Sequence, residues 1–296
     1  MDVRNRDIPI KIAIYIIMII FAVLAIYPLL WMFLQSFKTT QEFMRESKLS
    51  LPQNWFKSAF MGGNPDRPWQ GNYPYAWKQA HFGMLFINSI FYTVVTVVSV
   101  VILSAMAGFA FSKIPSKATP VLFGVFIIGI LLTIQSIMVP LFLMVNAVHL
   151  YNTRLGILIP YIGLGLPMGV YLSTDFVKSV PDAVIESARI DGAKYLKIFS
   201  SIILPMIAPV AMTIAILTFS GTWNEFMLIN ILASSGNGWA NIKSLPVGIN
   251  MFSGALASDY GKQFAALTMG AVPMIVFYLS FRKQITKGVA AGAVKG

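Results

Sequence analysis

The chain has 296 residues, 57% of them hydrophobic and only 11% charged, with a mean hydropathy of +0.73. An average soluble domain carries about 25% charge, so this composition excludes a soluble enzyme and a disordered chain alike and defines an integral membrane protein. The absence of cysteine excludes a disulfide framework, a thiol nucleophile and thiolate metal sites. A net charge of +11 in a soluble chain would suggest nucleic acid. In a membrane protein it points to basic loops that set topology and face anionic membrane lipid, with no nucleic-acid partner.

A helix needs about 20 apolar residues to cross the hydrocarbon. In chain order, six stretches qualify: 12–34, 87–111, 121–145, 155–172, 206–231 and 264–281. The fourth is expected to be broken by Pro160 and Pro167. The first is too long for a signal peptide, and no small-residue cleavage site follows it. These are long runs rather than ten-residue alternations, so the expected fold class is all-α, a single transmembrane domain over 1–296.

Lys and Arg in short loops orient the spans. One side holds the N-terminal segment, the 113–119 turn, the 176–202 loop and the C-terminal segment, with 13 Lys and Arg between them. The other side has Arg154, Lys243 and Lys262 in its shorter loops, and six more in the 35–83 loop. Both termini are therefore expected in the cytoplasm, with the 35–83 and 234–262 loops outside. The 35–83 loop mixes aromatics with Pro, Gly and Asn, as in Leu51-Pro52-Gln53-Asn54-Trp55-Phe56. It is expected to be folded, either as an interfacial aromatic belt or as a docking face for an external partner.

The 176–202 loop is the most informative stretch. Ser179 reads as an N-cap, with Pro181 in the first turn and Asp182 three residues on, as in a capping box. A short helix then places Val184, Ile185 and Ala188 on one face. Gly192 reads as its left-handed stop. A second helical piece over 195–201 leads to Leu204-Pro205 and the membrane.

Glu186-Ser187-Ala188, then three residues, Gly192, then nine residues and Ile202-x-Leu204-Pro205, resembles the EAA motif of ABC importer permeases. Ser187 for the middle Ala is the one departure. Thr222-Trp223-Asn224-Glu225-Phe226, Leu245-Pro246-Val247-Gly248 and the glycine-rich C-terminal residues resemble the maltose-type carbohydrate branch of that family. The resemblance implies the type I (MetI-like) importer permease fold in a bacterial inner membrane. It also implies a homologous second permease, two copies of an ABC ATPase on the cytoplasmic side, an external solute-binding protein and a carbohydrate substrate. The EAA loop (Glu186, Ser187, Ala188, Asp191, Gly192, Leu204, Pro205) would be the coupling element seated on the ATPase. The tail, with Gly292, Lys295 and Gly296, would be a second contact to the ATPase pair. Its Gly and Ala residues are expected not to form a stable helix.

Few polar residues lie inside the spans: Gln135, Asn224 and Glu225, with Asn88 near an end. An ionisable group at membrane depth must face a cavity, a partner or the interface. Gln135, Tyr171, Trp223, Asn224 and Glu225 are therefore candidates for a substrate pathway, and hydrogen bonding at a subunit interface is the alternative for Asn224 and Glu225. No P-loop is present, so ATP hydrolysis falls to another chain. No metal or other cofactor is implied. A self-sufficient secondary transporter or channel, or a permease for a non-sugar solute such as glycerol 3-phosphate, are the competing functions. A membrane hydrolase finds no catalytic constellation.

Overall fold

The structure, a computed structural model, describes residues 3–61, 70–79, 81–234, 238, 241–251 and 259–293. All regular structure among them is helical. Four helices are long and apolar enough to cross a membrane: α1 (Val3–Gln35), α4 (Phe82–Lys113), α7 (Arg154–Lys178) and α14 (Tyr260–Ala293). Two more spans are bent pairs. α5 (Thr119–Ile130) and α6 (Ile134–Ala147) meet at 110°. The segment 195–206 meets α11 (Ala208–Trp223) at 77°. The expected third and fifth spans are thus not straight helices. Leu131 to Thr133 leave the helical ladder after α5, and α11 ends at Trp223 before a short α12 (Met227–Leu232).

The fourth span corrects the opposite expectation. α7 runs unbroken through Pro160 and Pro167. Each proline removes one backbone hydrogen bond, a defect that neighbouring groups in a membrane helix can absorb. α14 likewise continues through Gly288 and Gly292 to Ala293, against the expectation of a non-helical tail. Extending a formed helix needs no new nucleus, and the alanines there are strong helix formers. Lys295 and Gly296 lie outside the described residues.

The chain forms two compact units, residues 1–82 with 248–272, and 83–247 with 273–296. In the first, the described part of the 35–83 loop is folded. Thr39 and Glu42 form a capping box that starts α2 (Thr40–Arg45). Asn72, at the start of α3 (Asn72–Gln79), donates to the Ser36 and Lys38 carbonyls, each at 2.8 Å. Buried Lys38 donates from Nζ to Ser50 Oγ at 3.0 Å. Thr40 donates to Asp259, which also pairs with Lys262, whose ammonium lies 3.8 Å from the Tyr75 ring centre. Burial pushes the Tyr73 phenol above its ordinary pKa, against the opposing effect of its bonds to Ser36 and Thr268.

In the second unit, α4 and α7 pack through small residues at intervals of four. Val100, Ser104 and Gly108 on α4 meet Gly165, Gly169 and Ser173 on α7. A Cβ added at Gly108 would sit 2.6 Å from Ser173 Cβ, and one at Gly169 would sit 2.9 Å from Ser104 Cβ. Without a water-driven force between spans, this close backbone approach is what favours association. Ser112 Oγ donates to the Thr174 carbonyl at 3.0 Å and fastens the same pair near its end.

Candidate functional site

The 176–202 loop forms α8 (Asp182–Ile190), a turn at Asp191 and Gly192, then α9 (Tyr195–Ile198). Ile185 is buried, with Val184 and Ala188 half-buried beside it, as the spacing predicts. Ile185 joins a core with Phe109 of α4, Val177 of α7 and Ile214 of α11. The loop is therefore keyed into the body of its unit.

Gly192 has φ +78°. Its N–H donates to the Arg189 carbonyl and the Ala193 N–H to the Ala188 carbonyl, both at 3.0 Å. This is a Schellman termination, with Ala188 and Ala193 also packed on the core. The start of α8 differs from the sequence reading. Ser179 does not cap it: its hydroxyl donates back to the Phe176 carbonyl at 2.7 Å and closes α7. Pro181 occupies the cap position with no side-chain bond, and a proline at a helix start has no N–H to satisfy. Lys113 supplies the fastening instead, donating from Nζ to the Val180 carbonyl and to Asp182, both at 2.6 Å. That residue was placed in the topology count but not in the site, because nothing in the sequence links positions 69 apart.

Downstream, a π-turn at Phe199–Ile203 precedes Leu204–Met206, and the chain bends at Ile207 into α11. Pro205 and Pro209 flank that bend. Glu186 and Ser187 stay exposed on α8, as does Asp191 at its end. Ile190 is 87% exposed and Leu196 73%, on either side of the Gly192 turn. A cleft of about 510 Å³ beside α8 brings Glu186, Arg189 and Asp182 together with Lys113, Ser116 and Thr119 of the preceding turn.

A second feature lies between α7 and α11. A cavity of about 380 Å³ is lined by Tyr161, Leu164, Gly165 and Met168 on one helix and by Leu217, Thr218, Gly221, Thr222 and Glu225 on and just after the other, with Ile134. On α7 the four follow i, i+3, i+4, i+7 spacing, one face of a helix, and Thr218, Gly221 and Thr222 start the same pattern on α11. Glu225 is half-buried at the break after α11. Its carboxylate accepts from Tyr161 Oη at 2.7 Å, from the Leu228 N–H at 2.7 Å and from the Ile229 N–H at 3.3 Å. It thereby satisfies two of the free N–H groups in the first turn of α12 and ties that break to α7.

The other expected pathway residues do not line this cavity. Buried Trp223 stacks on Phe219 (5.9 Å, 3°). Asn224 donates to the Ser220 carbonyl at 2.9 Å. Gln135 lies 3.9 Å from Met227 Sδ, and Tyr171 is exposed further along α7. Asn88 is buried and donates to the Lys243 carbonyl at 3.0 Å while accepting from Arg154 at 3.2 Å. Tyr161 and Thr218 are polar lining residues that the sequence reading passed over, and Thr222 entered it only as the first residue of the Thr222–Phe226 stretch. The polar period Thr218-Thr222-Glu225 was the available signal.

Four long apolar helices and two bent pairs are the architecture of a multi-pass membrane protein. Residues 101–283 match the family of binding-protein-dependent transport system inner membrane components, and the chain belongs to that family. It is 31% identical to the probable ABC transporter permease protein YurM of Bacillus subtilis, over 96% of this chain and 88% of that one. It is 30% identical to the diacetylchitobiose uptake system permease protein NgcG of Streptomyces coelicolor, over 94% and 87%. Its fold matches a chain in a crystal structure of a bacterial ABC transporter involved in import of the acidic polysaccharide alginate. That match has a TM-score of 0.76 at 22% identity, over 94% of this chain and 97% of that one. The type I importer permease fold expected from the EAA motif is therefore the fold observed.

Proposed function

We propose that this chain is one of two homologous permease subunits of an ABC importer for di- or oligosaccharide. An external solute-binding protein delivers the sugar, two copies of an ATPase bind on the cytoplasmic side, and the 176–202 loop of this chain seats in a groove on the ATPase. The observation that carries the reading is the two-sided character of that loop. Its inner face is locked into the core through Ile185, while Ile190 and Leu196 project beside the rigid Gly192 turn. Exposed apolar side chains on a fixed turn suit a protein groove, and a packed contact is what lets ATP-driven closure move the spans. Glu186 supplies a charge for a basic partner residue. The excess of Lys and Arg on the loop's side supports a cytoplasmic location for it and for both termini. The C-terminal residues 288–296, with Gly292, Lys295 and Gly296, are a second ATPase contact in this reading.

The carbohydrate assignment rests on the Thr222–Phe226 signature and on relatives such as NgcG. The cavity fits it: apolar walls for a sugar ring, with the Tyr161–Glu225 pair and two threonine hydroxyls for its edges. Glu225 retains acceptor capacity beyond its three protein bonds.

The test is reconstituted transport. Ile190→Asp and Leu196→Asp should abolish ATPase co-purification while the permease pair still assembles. Retained ATPase binding in both would overturn the docking. Separately, a thermal-shift screen of the cognate binding protein against sugars and polyol phosphates tests the substrate. A response to glycerol 3-phosphate and to no sugar would overturn the carbohydrate assignment.

A further inference from the structure

The first unit carries a run of outward-facing apolar side chains that neither its core nor the transport reading uses. Leu49 is 73% exposed and Phe56 65%, with Leu51, Trp55, Phe60 and Met61 exposed in the same stretch. Two lysines, Lys48 and Lys57, sit among them. The depth of this stretch follows from how it is tied to α1. Lys11 is the last charged residue near the start of α1. About 20 residues from there cover the hydrocarbon, which puts its far edge at Trp31. The part of α1 between carries no charge, its only polar groups are the hydroxyls of Tyr15 and Tyr27, and none of it is buried by the rest of the chain.

Trp31 Nε1 donates to the Lys48 carbonyl at 2.9 Å, and Gln35 Nε2 donates to the same carbonyl at 3.0 Å. Leu49 is therefore held level with the end of the hydrocarbon. Phe33 packs edge-on against Phe37 at 5.0 Å, and Phe37 against Trp55 at 5.5 Å, which brings the second half of the stretch back beside the same helix end. Aromatic rings with interspersed lysines at this depth have the composition of an interfacial anchor, and the patch is continuous with the exposed apolar surface of α1.

We infer that residues 49–61 lie in the bilayer interface, with Leu49 and Phe56 embedded among lipid headgroups and upper acyl chains. The occupant of this patch is lipid and not the solute-binding protein. The inference needs only that α1 crosses the membrane, so it stands or falls apart from the sugar assignment.

The chain has no cysteine, so single thiols can be introduced directly. Leu49→Cys, Phe56→Cys and, as a water-facing control on α3, Lys78→Cys would each carry a fluorescent probe in the assembled transporter in nanodiscs. Nitroxide-labelled lipids are the quencher. The expected result is at least a twofold drop in fluorescence at positions 49 and 56 from a headgroup-proximal label, with a smaller drop from a label at the chain end and none at position 78. Quenching at 49 and 56 no greater than at 78 would overturn the inference. So would emission that responds to added binding protein and not to labelled lipid, which would make the patch a protein-docking face. Quenching strongest from the chain-end label would overturn the interfacial depth.

Discussion

Replacing Gly192 separates backbone conformation from packing more cleanly than any other change in the 176–202 loop. The residue sits at φ +78°, and a Cβ there would have no neighbour within 4 Å. No collision inside the chain contributes, so the cost is conformational. For an L-residue the left-handed region costs roughly 1–2 kcal/mol, with β-branched residues worst and Asn the best tolerated. That range corresponds to roughly a 5–30-fold loss of the population holding the turn. The turn matters because the Ala193 to Ala188 and Gly192 to Arg189 bonds set the direction in which α9 leaves α8, and with it the spacing of Ile190 and Leu196. Gly192→Asn, Gly192→Ala and Gly192→Val should therefore form a graded series in binding-protein-stimulated ATP hydrolysis and in uptake. Asn should stay within about twofold of the parent and Val should fall lowest. Membrane levels of each variant are measured alongside. Parental uptake by Gly192→Val at equal expression would refute the argument, since the turn would then not need its left-handed residue.

Lys113→Met should lower the melting temperature of the solubilised complex more than Asp182→Asn. The carboxylate is 76% exposed, so its loss is worth about 0.2–1 kcal/mol, whereas losing the lysine also strips the partly buried Val180 carbonyl of its donor, roughly 1–3 kcal/mol. Equal shifts would show the carbonyl bond to be irrelevant. Two alanine substitutions in α7 should move stability in opposite directions. Gly169→Ala pushes a methyl to 2.9 Å from Ser104 Cβ and should destabilise by about 1–3 kcal/mol, while Gly163→Ala meets nothing within 4 Å and should gain about 0.5–1 kcal/mol from helix propensity. Thermal unfolding in detergent reads both, and a loss at Gly163 would contradict the packing. Glu225→Gln should raise the apparent KM for uptake while the complex stays assembled if the cavity holds substrate. A change confined to assembly, with normal kinetics in the remaining complex, would instead restrict Glu225 to fastening α12.

What the sequence made legible is what repeats locally. Apolar run length located the four long helices, the 3.6-residue period placed Ile185 inward, and a glycine after a short amphipathic stretch foretold the left-handed stop at Gly192. What it hid depends on partners far along the chain. Ser179 has the chemistry of an N-cap, but its hydroxyl is taken by the helix behind it. Lys113 reaches Asp182 only after α4 and α7 have packed side by side. Prolines misled in both directions. Pro160 and Pro167 lie within an unbroken helix, whereas the third span breaks at Leu131–Thr133, with no proline. Hydropathy registers neither case, because the side chains on both sides of the break are as apolar as those within α7.

Glu225 shows why an apolar run with one carboxylate is ambiguous until the backbone is seen. If α11 continued as a straight span, the carboxylate would stand alone at membrane depth and a ligand or a partner subunit would have to compensate it. The helix instead ends at Trp223, and the break exposes N–H groups at Leu228 and Ile229 that would otherwise lack acceptors. Carboxylate and break each satisfy the other, and the Tyr161 hydroxyl completes the arrangement from α7. The acidic residue therefore has a structural reason to be where it is before any sugar is considered. A substrate hydroxyl arriving in the cavity would meet an acceptor already oriented by three donors, with no reorganisation needed to present it. Such an anchor tolerates weak, exchangeable contacts with hydroxyls, which is what a pathway that must release its cargo requires.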